Sequence, residues 1–364
     1  MSFNCGIIGL PNIGKSTLFN ALTQSSVAEA ANYPFCTIRP NAGKVPIKDQ
    51  RLNQIAAIAG SEKIIYNQLE VIDIAGLVRG ASKGEGLGNK FLSYIREVDV
   101  IVHLLRCFMD DNINHVYNRV DPILDAEVVE MELILADINS IERRLSQLKK
   151  ETKQGGKELK KQLDLMEEVL STLKLGKPAR ILRNMDEAEM KLLQLLTTKP
   201  VIYVCNVEDT NIITGNELSR KIEKIAKENK SKFYCISAKL EVDIANLKDE
   251  KEKRSFLSEL GLQEPGLDQI VRIIYEVLDM ITFFTVGPKE ARAWPIKAGS
   301  TADRAAGVIH TDFKKGFIKA ETISFADYIK YRSKSACKSA GKTRLEGRDY
   351  IVQDGDIMYF RFNV

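Results

Sequence analysis

The chain has 364 residues, 44% hydrophobic and 28% charged, with 53 Lys+Arg against 49 Asp+Glu and a net charge of +4. That suggests about two to three domains, with ample apolar content for a real core. No apolar run approaches the roughly 20 residues of a membrane span and no basic leader opens the chain, so a cytoplasmic protein without membrane partners is expected.

Asn4–Ile8 reads as a buried strand, and residues 18–22 open an amphipathic helix. Between them, Gly9-Leu10-Pro11-Asn12-Ile13-Gly14-Lys15-Ser16-Thr17 fills every fixed place of a G-x-x-x-x-G-K-[ST] loop. Its glycines let backbone N–H groups curl around an anion, and the following helix adds its positive end. Lys15 supplies a point charge for the β- and γ-phosphates, and Ser16 a hydroxyl for Mg²⁺. A nucleotide-binding protein follows. In the loop 33–38, Thr37 is placed to complete a Mg²⁺ shell beside Ser16.

A strand over 69–74 ends in Asp73-Ile74-Ala75-Gly76. Its carboxylate can hold a Mg²⁺-bound water, and Gly76 frees a backbone N–H for the γ-phosphate. The next residue is Leu77, where small GTPases carry the Gln that orients the attacking water. The glycine-rich stretch 80–88 reads as a switch loop. Within the strand over 99–105, His103 reads as a core residue. His115 lies in the polar loop just past that strand, on the phosphate edge, and is a candidate catalytic group.

From 126 to 195 the pattern is helical. Ile134, Ile138, Ile141, Leu145 and Leu148 form one heptad seam, and Leu159, Leu163, Met166, Leu170 and Leu173 a second, joined by Gly155-Gly156. An antiparallel helical hairpin is expected. Its tip carries Lys149, Lys150, Lys153, Lys157, Lys160 and Lys161, which suits a nucleic-acid contact or a solvated end.

Two strands, 201–206 and 233–237, deliver Asn206-Val207-Glu208-Asp209 and Ser237-Ala238-Lys239 to the carboxyl edge of the sheet, where open α/β sheets bind ligands. A guanine reader would want N-K-x-D, and here Val207 replaces the Lys. The choice between adenine and guanine stays open on this chemistry. Alternating strands and helices imply a parallel sheet covered on both faces.

After Pro265-Gly266 comes a helix over 267–278, and then short strands over 281–286, 293–296, 316–321, 350–352 and 357–362 with one helix at 301–306. This makes a separate small α+β domain, and residues 281–364 hold 15 Lys+Arg against 9 Asp+Glu, so the basic excess lies there. The six cysteines show no C-x-x-C spacing and read as reduced thiols.

Together, residues 9–17, 32–38 (Asn-Tyr-Pro-Phe-Cys-Thr-Ile), 73–81 and 84–92 resemble the Obg group of P-loop proteins related to translation factors. The inserted hairpin and the ending 344–358 are similar to its YchF branch, whose members are ribosome-binding ATPases. The resemblance implies a G-type P-loop domain over 1–280, interrupted by a coiled-coil hairpin at 126–195, and a C-terminal TGS domain of β-grasp type over 281–364. It also implies slow hydrolysis of ATP in preference to GTP and association with the ribosome, with RNA met by the hairpin tip and the TGS domain. Phosphate contacts are then carried onto Asn12, Ile13, Gly14, Lys15, Ser16 and Thr17. Magnesium falls to Ser16 and Thr37, and base contacts to Asn206 and Val207, with Ser237 and Ala238 on the neighbouring loop. Asn12 matches an asparagine that helps hold K⁺ in related proteins, and His115 matches a loop histidine that compensates for the missing Gln. The branch has N-x-x-E as its base motif, whereas Asp209 stands in the fourth place here, so adenine preference comes from the resemblance and not from the motif. A GTPase of the same architecture, and a ribosome-associated binding protein whose nucleotide is mainly structural, are the alternative readings.

Overall fold

The computed structural model describes residues 3–30, 41–74, 87–152, 156–182, 189, 192–247 and 249–363. They divide into two units, one of Phe3–Gly43 with Glu70–Leu267 and one of Lys44–Leu69 with Asp268–Val364. The division departs from the expected boundary at 280/281. It falls near 267/268, and it assigns 44–69, expected in the nucleotide domain, to the C-terminal unit.

One sheet has the order β2-β4-β1-β5-β6-β7, comprising β1 (Asn4–Ile8), β2 (Ala42–Ile47), β4 (Asn67–Asp73), β5 (Val100–Arg106), β6 (Val201–Asn206) and β7 (Lys232–Ile236). Of these, β1, β5, β6, β7 and the end of β4 belong to the first unit, whereas Lys44–Ile47 of β2 and Asn67–Leu69 of β4 are counted with the second. β1 pairs in parallel with β4 and with β5, and the parallel run continues through β6 to β7. All residues of β5 and β6 are buried, which is why they read as continuous apolar runs instead of alternating ones. Because these strands are parallel, the segments leaving β1, β4, β5, β6 and β7 share one edge. Strand order reverses at β1, the crevice where such sheets bind ligands. Four helices of this unit, α1 (Lys15–Ala30), α3 (Leu87–Glu97), α6 (Glu217–Glu228) and α7 (Ala238–Asn246), alternate with its strands, and α8 (Glu250–Glu259) follows.

The segment read as a hairpin holds two long helices, α4 (Pro122–Thr152) and α5 (Lys157–Lys174). Ile134, Ile141, Leu145 and Leu148 of α4 share a buried cluster with Met166, Val169 and Leu173 of α5. Ion pairs Lys149–Glu167 and Lys174–Glu142, each 2.8 Å, match a rising number on one helix to a falling one on the other, so the helices are antiparallel. At the base, buried Asp137 of α4 accepts from the Leu196 and Thr197 amides (2.9 and 2.8 Å) and from Thr197 Oγ1 (2.7 Å). Of the basic tip, Lys149 pairs with Glu167 and Lys161 with Glu189; Lys153 lies outside the described residues.

The second unit has a mixed sheet of order β11-β10-β12-β8-β9-β3, from β3 (Lys63–Ile65), β8 (Met280–Val286), β9 (Glu290–Lys297), β10 (Phe317–Ile323), β11 (Arg344–Glu346) and β12 (Ile357–Phe362). β8 and β9 form an antiparallel hairpin, β12 runs parallel to β8, and β3 runs parallel to β9. Strand alternation sends Phe283 and Phe284 to opposite faces. Phe284 joins Leu52, Ile55 and Ala56 of α2 (Gln50–Ala59), whereas Phe283 joins Ala302, Ala305 and Ala306 of α10 (Ala302–Ile309). Both faces are therefore covered, and α2 contributes to the cover of one of them. Helix α9 (Gly266–Val277) precedes this sheet, and α11 (Thr311–Lys315), α12 (Phe325–Tyr331) and α13 (Lys334–Ser339) lie within its sequence. The strand expected at 350–352 is reduced to one bridge, Thr301 to Ile351.

Candidate nucleotide site

The loop after β1 is held in a shape that only its residue types allow. Gly9 and Gly14 have φ of +148° and +96°, and Asn12 sits at +60°, a left-handed conformation that asparagine tolerates. A side chain at Gly14 would put Cβ 2.6 Å from Asn206 Nδ2, so glycine is required there for approach as well as for φ. Ile13 is fully buried beneath the loop, and Thr17 is exposed on the first turn of α1.

Lys15 is buried and donates from Nζ to the Leu10 carbonyl across the loop at 2.8 Å. Burial pushes its ammonium below the ordinary lysine range, and the nearby Asp73 carboxylate opposes that shift. Ser16 Oγ donates to Asp73 Oδ2 at 3.2 Å, joining the start of α1 to the end of β4. Asp73 Oδ1 is buried with no hydrogen-bond partner among the described residues. A hydroxyl beside a carboxylate with an uncommitted buried oxygen is a hard oxygen-donor pair, and it fits Mg²⁺.

Asn206 is the residue that ties the site together. Its Nδ2 donates to the Ile13 carbonyl at 3.0 Å, and its Oδ1 accepts the Ala238 amide at 2.9 Å. Three loops, from β1, β6 and β7, thus meet on one buried amide. This places Asn206 under the phosphate loop, each amide atom making one bond and keeping capacity for another, and the Val207 side chain is buried beside it. Ser237 Oγ caps α7 and donates to Asp209 Oδ1 at 2.5 Å, which fixes the Asp209 carboxylate. Glu208 is also committed, accepting from the Met109 amide and from the side chains of Asn211 and Asn216 (3.1, 3.1 and 3.3 Å). Burial pushes the Glu208 carboxyl up, but these hydrogen bonds and its own amide outweigh burial and hold it below the usual carboxylate range.

The loop after β5 is organised by Arg106, a residue that no sequence motif points to. Its guanidinium is fully buried and donates to the carbonyls of Phe108, Asp110 and Ile113 at 3.2, 2.9 and 2.7 Å. The one visible signal in the sequence is a cation ending an otherwise apolar strand. Further along, the Asn114 carbonyl accepts from Asn12 Nδ2 at 3.2 Å, so this loop touches the phosphate loop directly. His115 is buried, with Nε2 2.9 Å from Asp125 Oδ2 and Nδ1 accepting the Tyr117 amide at 3.2 Å. Burial pushes the Asp125 carboxyl above the usual range, and His115 opposes it. His103 is a core residue, as expected; burial lowers its pKa to about 3, so it stays neutral.

Thr37, Gly76 and Leu77, together with residues 80–86 of the expected switch loop, lie outside the described residues; residues 87 and 88 open α3.

A family model described as "50S ribosome-binding GTPase" matches residues 4–137, and the C-terminal YchF-GTPase model, described as "Protein of unknown function (DUF933)", matches 280–363. The chain is 49% identical to the ribosome-binding ATPase YchF of Haemophilus ducreyi and 47% identical to that of Bacillus subtilis, over the full length of both partners in each case. The chain belongs to the YchF family. The solved YchF GTPase of Schizosaccharomyces pombe superposes with a TM-score of 0.88 at 36% identity, covering 99% of this chain and 98% of that one. The YchF assignment accounts for the P-loop unit and for the mixed sheet that follows it. Among the described residues, no helix is long and apolar enough to cross a membrane.

Proposed function

We propose that this YchF-family protein is a slow, Mg²⁺-dependent ATPase that works as a nucleotide-controlled switch on the ribosome in the cytoplasm. The observation carrying this is the buried Asn206 junction, which holds the phosphate loop, the 206–209 loop and the 237–239 loop in one frame. Backbone N–H groups of residues 12–17 and the Lys15 ammonium would hold the phosphates. Ser16, with Asp73 through water, would hold Mg²⁺, and Thr37 would join them. When bound, Mg²⁺ neutralises charge building on the phosphate oxygens. A K⁺ role rests on Asn12 alone, whose amide nitrogen is already given to Asn114. With leucine at position 77, His115 is the group left to orient the attacking water, and low turnover follows. The mixed second unit, with strand order β9-β8-β12-β10 and α10 against one face, supports a TGS domain of β-grasp type, and α4–α5 a coiled-coil arm. The basic arm tip and this domain would face ribosomal RNA.

A GTPase is the second reading, because Ser237 fixes Asp209 as a hydrogen-bond acceptor, the group guanine N1–H and N2–H₂ need. Calorimetric titration of the full chain with ATP and with GTP separates the two. ATP bound at least tenfold tighter supports the ATPase, and GTP bound at least tenfold tighter overturns it. Co-sedimentation with ribosomes across a salt series tests the partner, since phosphate contacts weaken steeply with ionic strength.

A further inference from the structure

Asp125 lies on the first turn of α4 but does not cap it. Asp121 already caps α4, accepting the amides of Ile123 and Leu124 at 3.2 Å each. Asp125 instead turns back to the loop, and both side chains are nearly sealed from solvent, 3% and 2% exposed for His115 and Asp125. A carboxylate buried this deeply is costly unless it is well partnered. Among the described residues its one side-chain hydrogen bond is to this histidine, its Oδ1 meeting no partner, with Arg119 adding only a weaker electrostatic support. The loop it grips is the one whose Asn114 carbonyl holds Asn12 of the phosphate loop, and whose backbone is clamped by Arg106.

We propose that Asp125 is the positioning residue for His115, fixing its proton on Nε2 and leaving Nδ1 as the ring's acceptor for the hydrolytic water. An imidazole is useful as an acceptor only when its other nitrogen is protonated, and a carboxylate on Nε2 enforces that tautomer. The Tyr117 amide at 3.2 Å donates to Nδ1, which agrees with a lone pair there, and this long bond is the one that water replaces. Arg106 supports the same arrangement by fixing the carbonyls of Asp110 and Ile113 on either side of the loop tip. Asp125 stands at the foot of a 31-residue helix, so displacement of α4 moves the histidine's partner and thereby turnover. This inference rests on the reading of His115 as the water-orienting group.

The chain has three histidines, so an imidazole ¹⁵N–¹H correlation spectrum of the full protein resolves the tautomer directly, with His115→Asn assigning the signal. We expect Nε2–H in the wild type. Asp125→Ala should mix the tautomers and lower ATP turnover at least tenfold while the ATP dissociation constant moves less than threefold. Asp125→Asn, which still offers an oxygen to Nε2–H, should keep the tautomer and recover part of the turnover, and it covers the case in which the alanine variant fails to fold. A wild-type Nδ1–H tautomer overturns the proposal. So does wild-type turnover in Asp125→Ala when His115→Asn is impaired, or a parallel loss of affinity, turnover and thermal stability in both Asp125 variants. Undiminished turnover in His115→Asn instead overturns the assignment of His115 itself, and the proposal with it.

Discussion

Replacing Asn206 by alanine tests whether this side chain is a strut or a base reader. Its two hydrogen bonds, 3.0 Å to Ile13 and 2.9 Å from Ala238, lie in a buried junction where Asn206 is 6% exposed. Truncation leaves one carbonyl and one amide unpaired, at about 1–3 kcal/mol for each, or roughly 2–6 kcal/mol together. Since the Ile13 carbonyl belongs to the phosphate loop, much of this loss appears as weakened phosphate binding. At about 1.4 kcal/mol per factor of ten, the dissociation constant rises by about 30-fold to 10⁴-fold. Titration calorimetry with ATP, GTP and inorganic tripolyphosphate reads the distinction. A strut predicts similar losses for all three ligands, because the damage is to the cradle. Losses confined to the two nucleotides, or to one of them, would refute the strut and restore Asn206 as a base contact.

Gly14→Ala should weaken nucleotide binding at least tenfold in the same assay, since φ of +96° costs a side chain about 1–2 kcal/mol before Cβ meets Asn206 Nδ2 at 2.6 Å. Ser16→Ala should raise the Mg²⁺ concentration needed for half-maximal ATP turnover by about tenfold, the scale seen when a metal's supporting groups are lost; an unchanged requirement would remove Ser16 from the metal. Arg106→Met should speed amide hydrogen exchange across residues 108–115, because three carbonyls lose their donor; exchange as slow as in the wild type would show that the loop holds itself. His103 has a folded pKa of about 3, below its unfolded value, so the unfolded chain binds the extra proton between the two. Its contribution is complete above about pH 6.5 and is lost as pH falls toward 3, at no more than about 1.4 kcal/mol per pH unit. His103→Leu should flatten that acid limb in denaturant melts, and an unchanged slope would place the acid sensitivity elsewhere.

Local chemistry that carries its own geometry is legible in the amino-acid order alone. The phosphate loop needs glycine at two backbone positions and polar groups at fixed offsets, so residues 9–17 announce both shape and purpose. The two heptad seams name most of the shared cluster, Ile134, Ile141, Leu145, Leu148, Met166 and Leu173, but miss Val169, which is fully buried where the spacing favoured Leu170. What stays hidden depends on distant pairings. Leu52, Ile55 and Ala56 advertise a buried face, but nothing in a ten-residue helix says that Phe284 lies across from it. The three residues of β3 are too few to show a period, and their parallel pairing with β9 spans more than two hundred positions of chain. The base motif names Asn206, but a motif does not say that the same amide also bonds the Ile13 carbonyl and the Ala238 amide. Asp125 looks like one more acid in the first turn of a helix, where acids are common for reasons of dipole alone.

The interleaving of 44–69 with the C-terminal sheet sets an order for biosynthesis. The apolar face of α2 leaves the ribosome early, yet Phe284, Ile323 and Ile357, which cover it, are made more than two hundred residues later. At about 5–20 residues per second, that face waits roughly 10–60 seconds for its cover. During that interval the nascent chain exposes a sticky amphipathic helix. A stop codon placed between α2 and β8 would leave it permanently bare, so such shortened products should be targets for chaperones and proteases.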